Sequence, residues 1–220
     1  MARGWIEWQP LVPSEPFSRS CDRAISTLRN DGHEFGDYLE FGVSRGTSMA
    51  CMFHALQRAA LDNVRLVGFD SFAGMPVEAE TQGWKRGAYA STLTATRRYL
   101  KRNGVDLDRV RLIKGWFRDT LTDRTVRQLD LRKASLIMVD CDIYTASKEA
   151  LWFCEPLITD TAVIMFDDWG SRADYDELGQ REAFAEFLAE FADFSAEPLE
   201  AYIPEARIFL LKRQIESTPG

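Results

Sequence analysis

No apolar run in these 220 residues is long enough to cross a bilayer; the longest, such as TAVIMF at 161–166, are far too short. The start, MARGWIEWQP, lacks an apolar stretch followed by a small-residue cleavage site. An unexported, cytoplasmic protein with no membrane partner is therefore expected. Cysteine is sparse: Cys21, Cys51, Cys141 and Cys154 show neither paired metal spacing nor the density of a disulfide scaffold, so packed, reduced thiols are expected. Basic charge is also short, with 27 Lys and Arg against 34 Asp and Glu for a net charge of -7. That balance disfavours contact with a phosphate backbone, so no nucleic-acid partner is expected, although it leaves room for a local basic patch. There is no internal repeat, no Ser/Gly-rich linker and no charge block large enough to divide the chain.

What is present is ordinary folded composition, 45% hydrophobic and 28% charged, at a length that suits one core. Short apolar runs alternate with longer amphipathic ones, which signals an α/β fold: a mostly parallel sheet with helices on both faces. Strands are predicted at 37–43, 64–70, 109–115, 135–140 and 161–167, the last two nearly unbroken apolar runs as expected of strands buried on both sides. Helices are predicted at 17–30, 46–61, 91–103, 120–130, 145–155 and 178–191, with Asn103-Gly104 as a C-terminal stop. Two further strands, 199–204 and 206–213, divided by Pro204, complete seven. Residues 1–16 read as an arm, 17–214 as the single domain and 215–220 as a tail. Residues 71–90 have no firm period and read as a lid or substrate loop. Trp5, Trp8 and three prolines in the arm suggest a homodimer contact, which light scattering on a truncation near Ser14 tests.

The first strand runs through EFGVSRGTS at 40–48 into a helix, where an α/β sheet opens its ligand crevice. Gly42 and Gly46 let backbone approach a ligand, while Thr47 and Ser48 start the helix with polar groups. The spacing is not G-x-G-x-x-G, because Ser44 holds the middle position. Taken alone, the turn reads equally as a cofactor site or an ordinary tight turn. Glu40 would repel a pyrophosphate and suits a cationic ligand; Asp70, ending the second strand, suits the hydroxyls of a ribose. Two acids around a nucleoside without a phosphate cradle suggest S-adenosylmethionine, with its ammonium and sulfonium. A third group, VDCDIY at 139–144 and FDDWG at 166–170, brings Asp140, Asp142, Asp167 and Asp168 to one sheet edge if their strands are neighbours. Such carboxylates repel unless protonated or neutralised, and oxygen ligands select a hard ion such as Mg²⁺. Helix capping and solvated loops are the alternative reading.

With these blocks in order, the chain resembles the macrocin-type O-methyltransferases, on YLEFGVSRGTS at 38–48, FDSFAGMP at 69–76, KGWFRDTL at 114–121, VDCDIYTAS at 139–147 and FDDWG at 166–170. The resemblance implies a seven-stranded S-adenosylmethionine-dependent fold, a bound Mg²⁺ and methyl transfer to a hydroxyl of a sugar or other small natural product. Carried over, Glu40, Gly42, Val43, Ser44 and Gly46, with Ser48 beside them, match the motif around the methionine part of the cofactor. Asp70, Ser71 and Phe72 match the ribose stretch, and Gly115, Trp116 and Phe117 the block near the adenine. Asp140, Asp167 and Asp168 match the metal positions, with Asp140 also beside the cofactor, and Asp142 is an acidic neighbour suited to orienting a metal ligand, to substrate contact or to acting as a base.

The chain departs from the family where some members offer a histidine base: His33 and His54 are its only two, and neither lies in the 75–90 loop. That loop offers Glu78, Glu80, Trp84, Lys85, Arg86 and Tyr89, so the proton is expected to pass to a carboxylate, to Tyr89 or to metal-bound water. Trp84, Tyr89, Trp169 and Tyr175 read equally as walls for a sugar or aromatic ring and as exposed or core-packed side chains. Two rival readings are a nicotinamide-dependent oxidoreductase using Asp70 for its ribose, and a catalytically silent methyltransferase-like binding subunit.

Overall fold

The structure is a computed structural model, and it describes residues 14–82, 84–169 and 179–214. Seven strands form one sheet: β1 Asp37–Phe41, β2 Leu66–Asp70, β3 Val110–Lys114, β4 Ala134–Val139, β5 Thr161–Phe166, β6 Phe194–Leu199 and β7 Arg207–Arg213, in the order β3-β2-β1-β4-β5-β7-β6. The first five are parallel and β7 is antiparallel to both neighbours. Every residue of β1, β4 and β5 is buried, so these central strands tolerate apolar side chains on both faces, and β4 and β5 read as nearly continuous apolar runs while β1 also buries Asp37 and Glu40.

The chain leaves the sheet centre outward through β2 and β3 and returns beside β1 as β4, which opens a crevice at the carboxyl ends of β1 and β4. Helices cover both faces. α1 Ser14–Asn30 and α2 Thr47–Arg58 pack on one core, with α3 Leu93–Arg102 beside α2. α4 Phe117–Thr120, α5 Asp123–Leu129, α6 Tyr144–Cys154 and α7 Gln180–Glu190 contribute to the other. No helix among the described residues is long and apolar enough to cross a membrane.

Several boundaries differ from expectation. α1 begins at Ser14, because Pro16 falls within its first turn, where a missing N–H costs no intrahelical bond. The predicted helix 120–130 starts later, as α5: Thr120 is the last residue of α4, Leu121 leaves helical geometry and the Thr122 hydroxyl accepts from the Thr125 N–H at 3.3 Å to start α5. The first strand of the final pair is 194–199, not 199–204. Its Pro198 is tolerated because β6 lies at the sheet edge, and residues 200–206 form the connector to β7. Residues 71–90 are partly ordered by a 3₁₀ turn, Val77–Gln82, and by a small cluster in which Met75, Ala79 and Trp84 pack on Ile143. Residues 1–13, with Trp5 and Trp8, and Tyr175 lie outside the described residues, as does the tail 215–220.

Candidate active site

The parallel register brings the strand ends into one row, each backbone N–H donating to a carbonyl on the neighbouring strand. Gly42 donates to Phe69 at 2.9 Å, Gly115 to Asp70 at 3.0 Å, Asp140 to Phe41 at 2.9 Å and Asp167 to Val139 at 3.2 Å. Gly42 sits at φ +91°, and a Cβ there would lie 1.7 Å from the Asp140 carbonyl oxygen, so only glycine lets these two strand ends close up. Gly46, at φ +86°, caps α2 where a Cβ would meet Leu100 at 2.9 Å.

A cavity of about 490 Å³ opens along this row. Gly42, Ser44, Asp70 and Ser71 line one wall, and Gly115, Trp116 and Phe117 another. Asp140, Asp142 and Asp168 close the side toward β4 and β5, with Tyr89 on the rim, 46% exposed. Asp70 is held by two backbone donors, Ser44 N–H at 2.7 Å to Oδ2 and Phe72 N–H at 2.6 Å to Oδ1. Burial raises its pKa and these bonds oppose the rise. Ser44 also donates its hydroxyl to the Tyr89 carbonyl at 2.8 Å and accepts at its own carbonyl from Thr96 Oγ1 at 2.5 Å, tying the turn to the 71–90 segment and α3. Ser44, Tyr89 and Asp142 all have positive φ without being glycine, a strain of about 1 kcal/mol or more each that clusters on this cavity.

Glu40, Val43, Gly46, Ser48 and Phe72 do not line the cavity and instead support it. Glu40 is fully buried, accepting from Tyr38 Oη at 2.5 Å and Ser48 Oγ at 2.7 Å, and burial pushes its carboxyl up to about 7. Val43 and Phe72 belong to the core. Trp84 packs in the 71–90 cluster and Trp169 against Phe166, Phe184 and Phe209, so neither is a cavity wall.

Asp140, Asp167 and Asp168 each offer a carboxylate oxygen within 4.8 Å of the others. Burial, and then the charges of Asp167, Asp168, Asp142 and Glu40, hold the Asp140 carboxyl well above the ordinary carboxylate range. Asp167 is raised by burial, opposed by a hydrogen bond that Tyr202 donates to its Oδ1. Three oxygen donors so crowded fit a hard divalent cation, whose charge would relieve the repulsion.

Sequence reasoning missed the groups behind these carboxylates. Gln180, fully buried at the start of α7, accepts the Asp168 N–H at 3.0 Å and donates to the Val139 carbonyl at 3.2 Å, clamping the ends of β4 and β5. Tyr202 comes from the β6–β7 connector. Missed too were Met75, Ile143 and Ala146, the apolar part of the lining, and charged Arg118 and Glu149, whereas Glu78 of the 75–90 loop does line the cavity. The spacing of 143–149 along α6, one face of a helix start, is the signal that could have found that group.

Comparison with known proteins supplies the family and the fold. The sequence model described as Macrocin-O-methyltransferase (TylF) matches residues 19–190. A curated relative, the 8-demethyl-8-(2,3-dimethoxy-alpha-L-rhamnosyl)-tetracenomycin-C 4'-O-methyltransferase of Streptomyces olivaceus, is 34% identical over 155 residues, 66% of this chain and 57% of the relative. The chain thus matches little more than half the length of that relative. Among solved structures, the O-methyltransferase NovP superposes with a TM-score of 0.73 at 18% identity, over 91% of this chain and 80% of that one. CalS11, a calicheamicin methyltransferase, follows at 0.68 and 21%, over 87% and 77%. At these identities the structures speak for the fold.

Proposed function

The chain belongs to the macrocin O-methyltransferase (TylF) family, and on that premise we propose that it transfers the methyl group of S-adenosylmethionine to a hydroxyl oxygen of a sugar or other small natural product, with Mg²⁺. The observation that carries this reading is the convergence of Asp140, Asp167 and Asp168 beside a cavity whose opposite wall is Gly42, Ser44 and Asp70. When bound, S-adenosylmethionine supplies an electrophilic methyl and Mg²⁺ a Lewis acid that favours the ionised acceptor hydroxyl.

The chain's own residues do the rest by holding and orienting. Asp70, its plane fixed by the Ser44 and Phe72 N–H groups, accepts from the ribose hydroxyls. Gly42 and Ser44 bring backbone against the methionine end; Trp116 and Phe117 flank the adenine. Glu40, protonated or ionised near neutrality, stiffens the turn from behind through Ser48. Asp140, Asp167 and Asp168 hold the cation. Asp142 lines the same cavity and takes the acceptor's proton, with Tyr89 on the rim as the second group in reach. Little covalent work falls to the protein, because an aligned nucleophile and methyl already remove most of the entropic barrier. A sugar hydroxyl is favoured by the name of the Streptomyces olivaceus relative, which acts on a rhamnosyl 4' position.

Calorimetry and turnover test this together. Asp140→Ala and Asp168→Ala, like EDTA, are expected to abolish turnover and leave S-adenosylmethionine binding largely intact, whereas Asp142→Asn lowers turnover by about 10²-fold or more without changing cofactor affinity. Full activity in EDTA sinks the metal part, and NADH binding without S-adenosylmethionine binding sinks the whole.

A further inference from the structure

We propose that Tyr202 is a positioning residue of the cation site: its hydroxyl, donated to Asp167 Oδ1, sets the carboxylate plane so that Asp167 joins Asp140 and Asp168 as a ligand. The proposal rests on the metal reading above.

Tyr202 stands 35 residues from Asp167 in sequence and reaches it from the connector between β6 and β7. It is 9% exposed, and its ring meets Phe17 of α1 edge-on at 4.9 Å and 86°. The connector is pinned on the other side by Ala206, fully buried and donating its N–H to the Ile203 carbonyl at 3.2 Å. A phenol held this way has little freedom beyond rotation of its O–H. Fixing one oxygen of a carboxylate fixes the plane and hence the direction of the other.

The chemistry of the donor matters. Three carboxylate oxygens within 4.8 Å of one another repel and tend to splay. A cationic donor would quench that repulsion and compete with the metal for its place. A neutral hydroxyl orients Asp167 while leaving the charge of the site unspent, and among the described residues no Lys or Arg forms an ion pair with Asp167. Metal ligands are commonly oriented by such hydrogen-bond partners, whose removal weakens metal affinity about 10- to 100-fold.

The test is calorimetric titration of Mn²⁺ and of Mg²⁺ into the full chain without acceptor. Tyr202→Phe keeps the ring against Phe17 and deletes the hydroxyl; it is expected to bind Mn²⁺ about 10- to 100-fold more weakly, with S-adenosylhomocysteine affinity within about two-fold of the parent. Phe17→Leu is the control for general loosening: its Tm falls while its Mn²⁺ affinity stays within about three-fold, because the hydroxyl is retained. Parent-like Mn²⁺ affinity in Tyr202→Phe overturns the proposal. So does an equal loss of Mn²⁺ affinity in Phe17→Leu, or a Tyr202→Phe chain that loses S-adenosylhomocysteine binding along with the metal, since either marks a structural role. If the parent itself takes up neither cation, the metal reading falls first and this inference with it.

Discussion

Replacing Glu40 by glutamine should make the ligand-free protein more stable at neutral pH and remove part of its pH dependence. Glu40 is fully buried, and its two oxygens accept from Tyr38 and Ser48, yet burial still outweighs those bonds and lifts the carboxyl from 4.5 to about 7. The folded chain therefore keeps a proton that the unfolded chain releases above about pH 4.5. Stability from this group is fully present below that value and is lost as pH rises through about 7. At about 1.4 kcal/mol per tenfold, the loss is roughly 3 kcal/mol. Glutamine is neutral throughout, keeps an acceptor for Tyr38, and lets Ser48 turn its hydroxyl to accept. Relative to the parent, Glu40→Gln should thus gain roughly 3 kcal/mol between pH 4.5 and 8, or about 6–12 °C in Tm for a chain of this size. Urea and thermal unfolding followed by circular dichroism across that range measure it. Parallel stability profiles for the two proteins would refute the reasoning, since Glu40 would then ionise as easily folded as unfolded.

Asp70→Asn leaves one carbonyl oxygen for two backbone donors, so the Ser44 or the Phe72 N–H must face an amide NH₂. It should cost about 1–3 kcal/mol in unfolding experiments and weaken S-adenosylmethionine binding by about tenfold or more in calorimetry. Gly42→Ala sets a Cβ 1.7 Å from the Asp140 carbonyl oxygen and should destabilise by about 3 kcal/mol. Gly32→Ala, at φ +75° with no atom within 4 Å of the new Cβ, should cost only about 1 kcal/mol by the same denaturation assay.

The central sheet was legible because its strands are buried on both faces and leave unbroken apolar runs, as in 161-TAVIMF-166. The row of acids was legible for a related reason: in a parallel sheet every strand ends on the same edge, so Asp70, Asp140 and Asp167 had to share that edge, with Asp140 and Asp167 neighbours once β4 and β5 paired. At the carboxyl end the reading slipped. The strand at 194–199 contains Pro198, and only the edge position of β6, a fact of topology, makes that proline acceptable. LEAYIP at 199–204 looked like a strand; most of it is the connector that delivers Tyr202 to Asp167. Gln180 and Tyr202 act across 12 and 35 residues, at positions set by how α7 and β7 pack, and no local pattern marks them. Trp169 was left open between wall and core because an aromatic at a strand end suits both equally well; Phe184 and Phe209, distant in sequence, decide for packing.

The most direct measurement is a mass-spectrometric search for methyl transfer from S-adenosylmethionine labelled in its methyl group, offered to a panel of rhamnosylated and related glycoside acceptors, with Mg²⁺ and with EDTA. A product bearing the label on a sugar oxygen is expected in Mg²⁺ and none in EDTA. A labelled product formed undiminished in EDTA, or a label found on nitrogen or carbon, would contradict the proposed function.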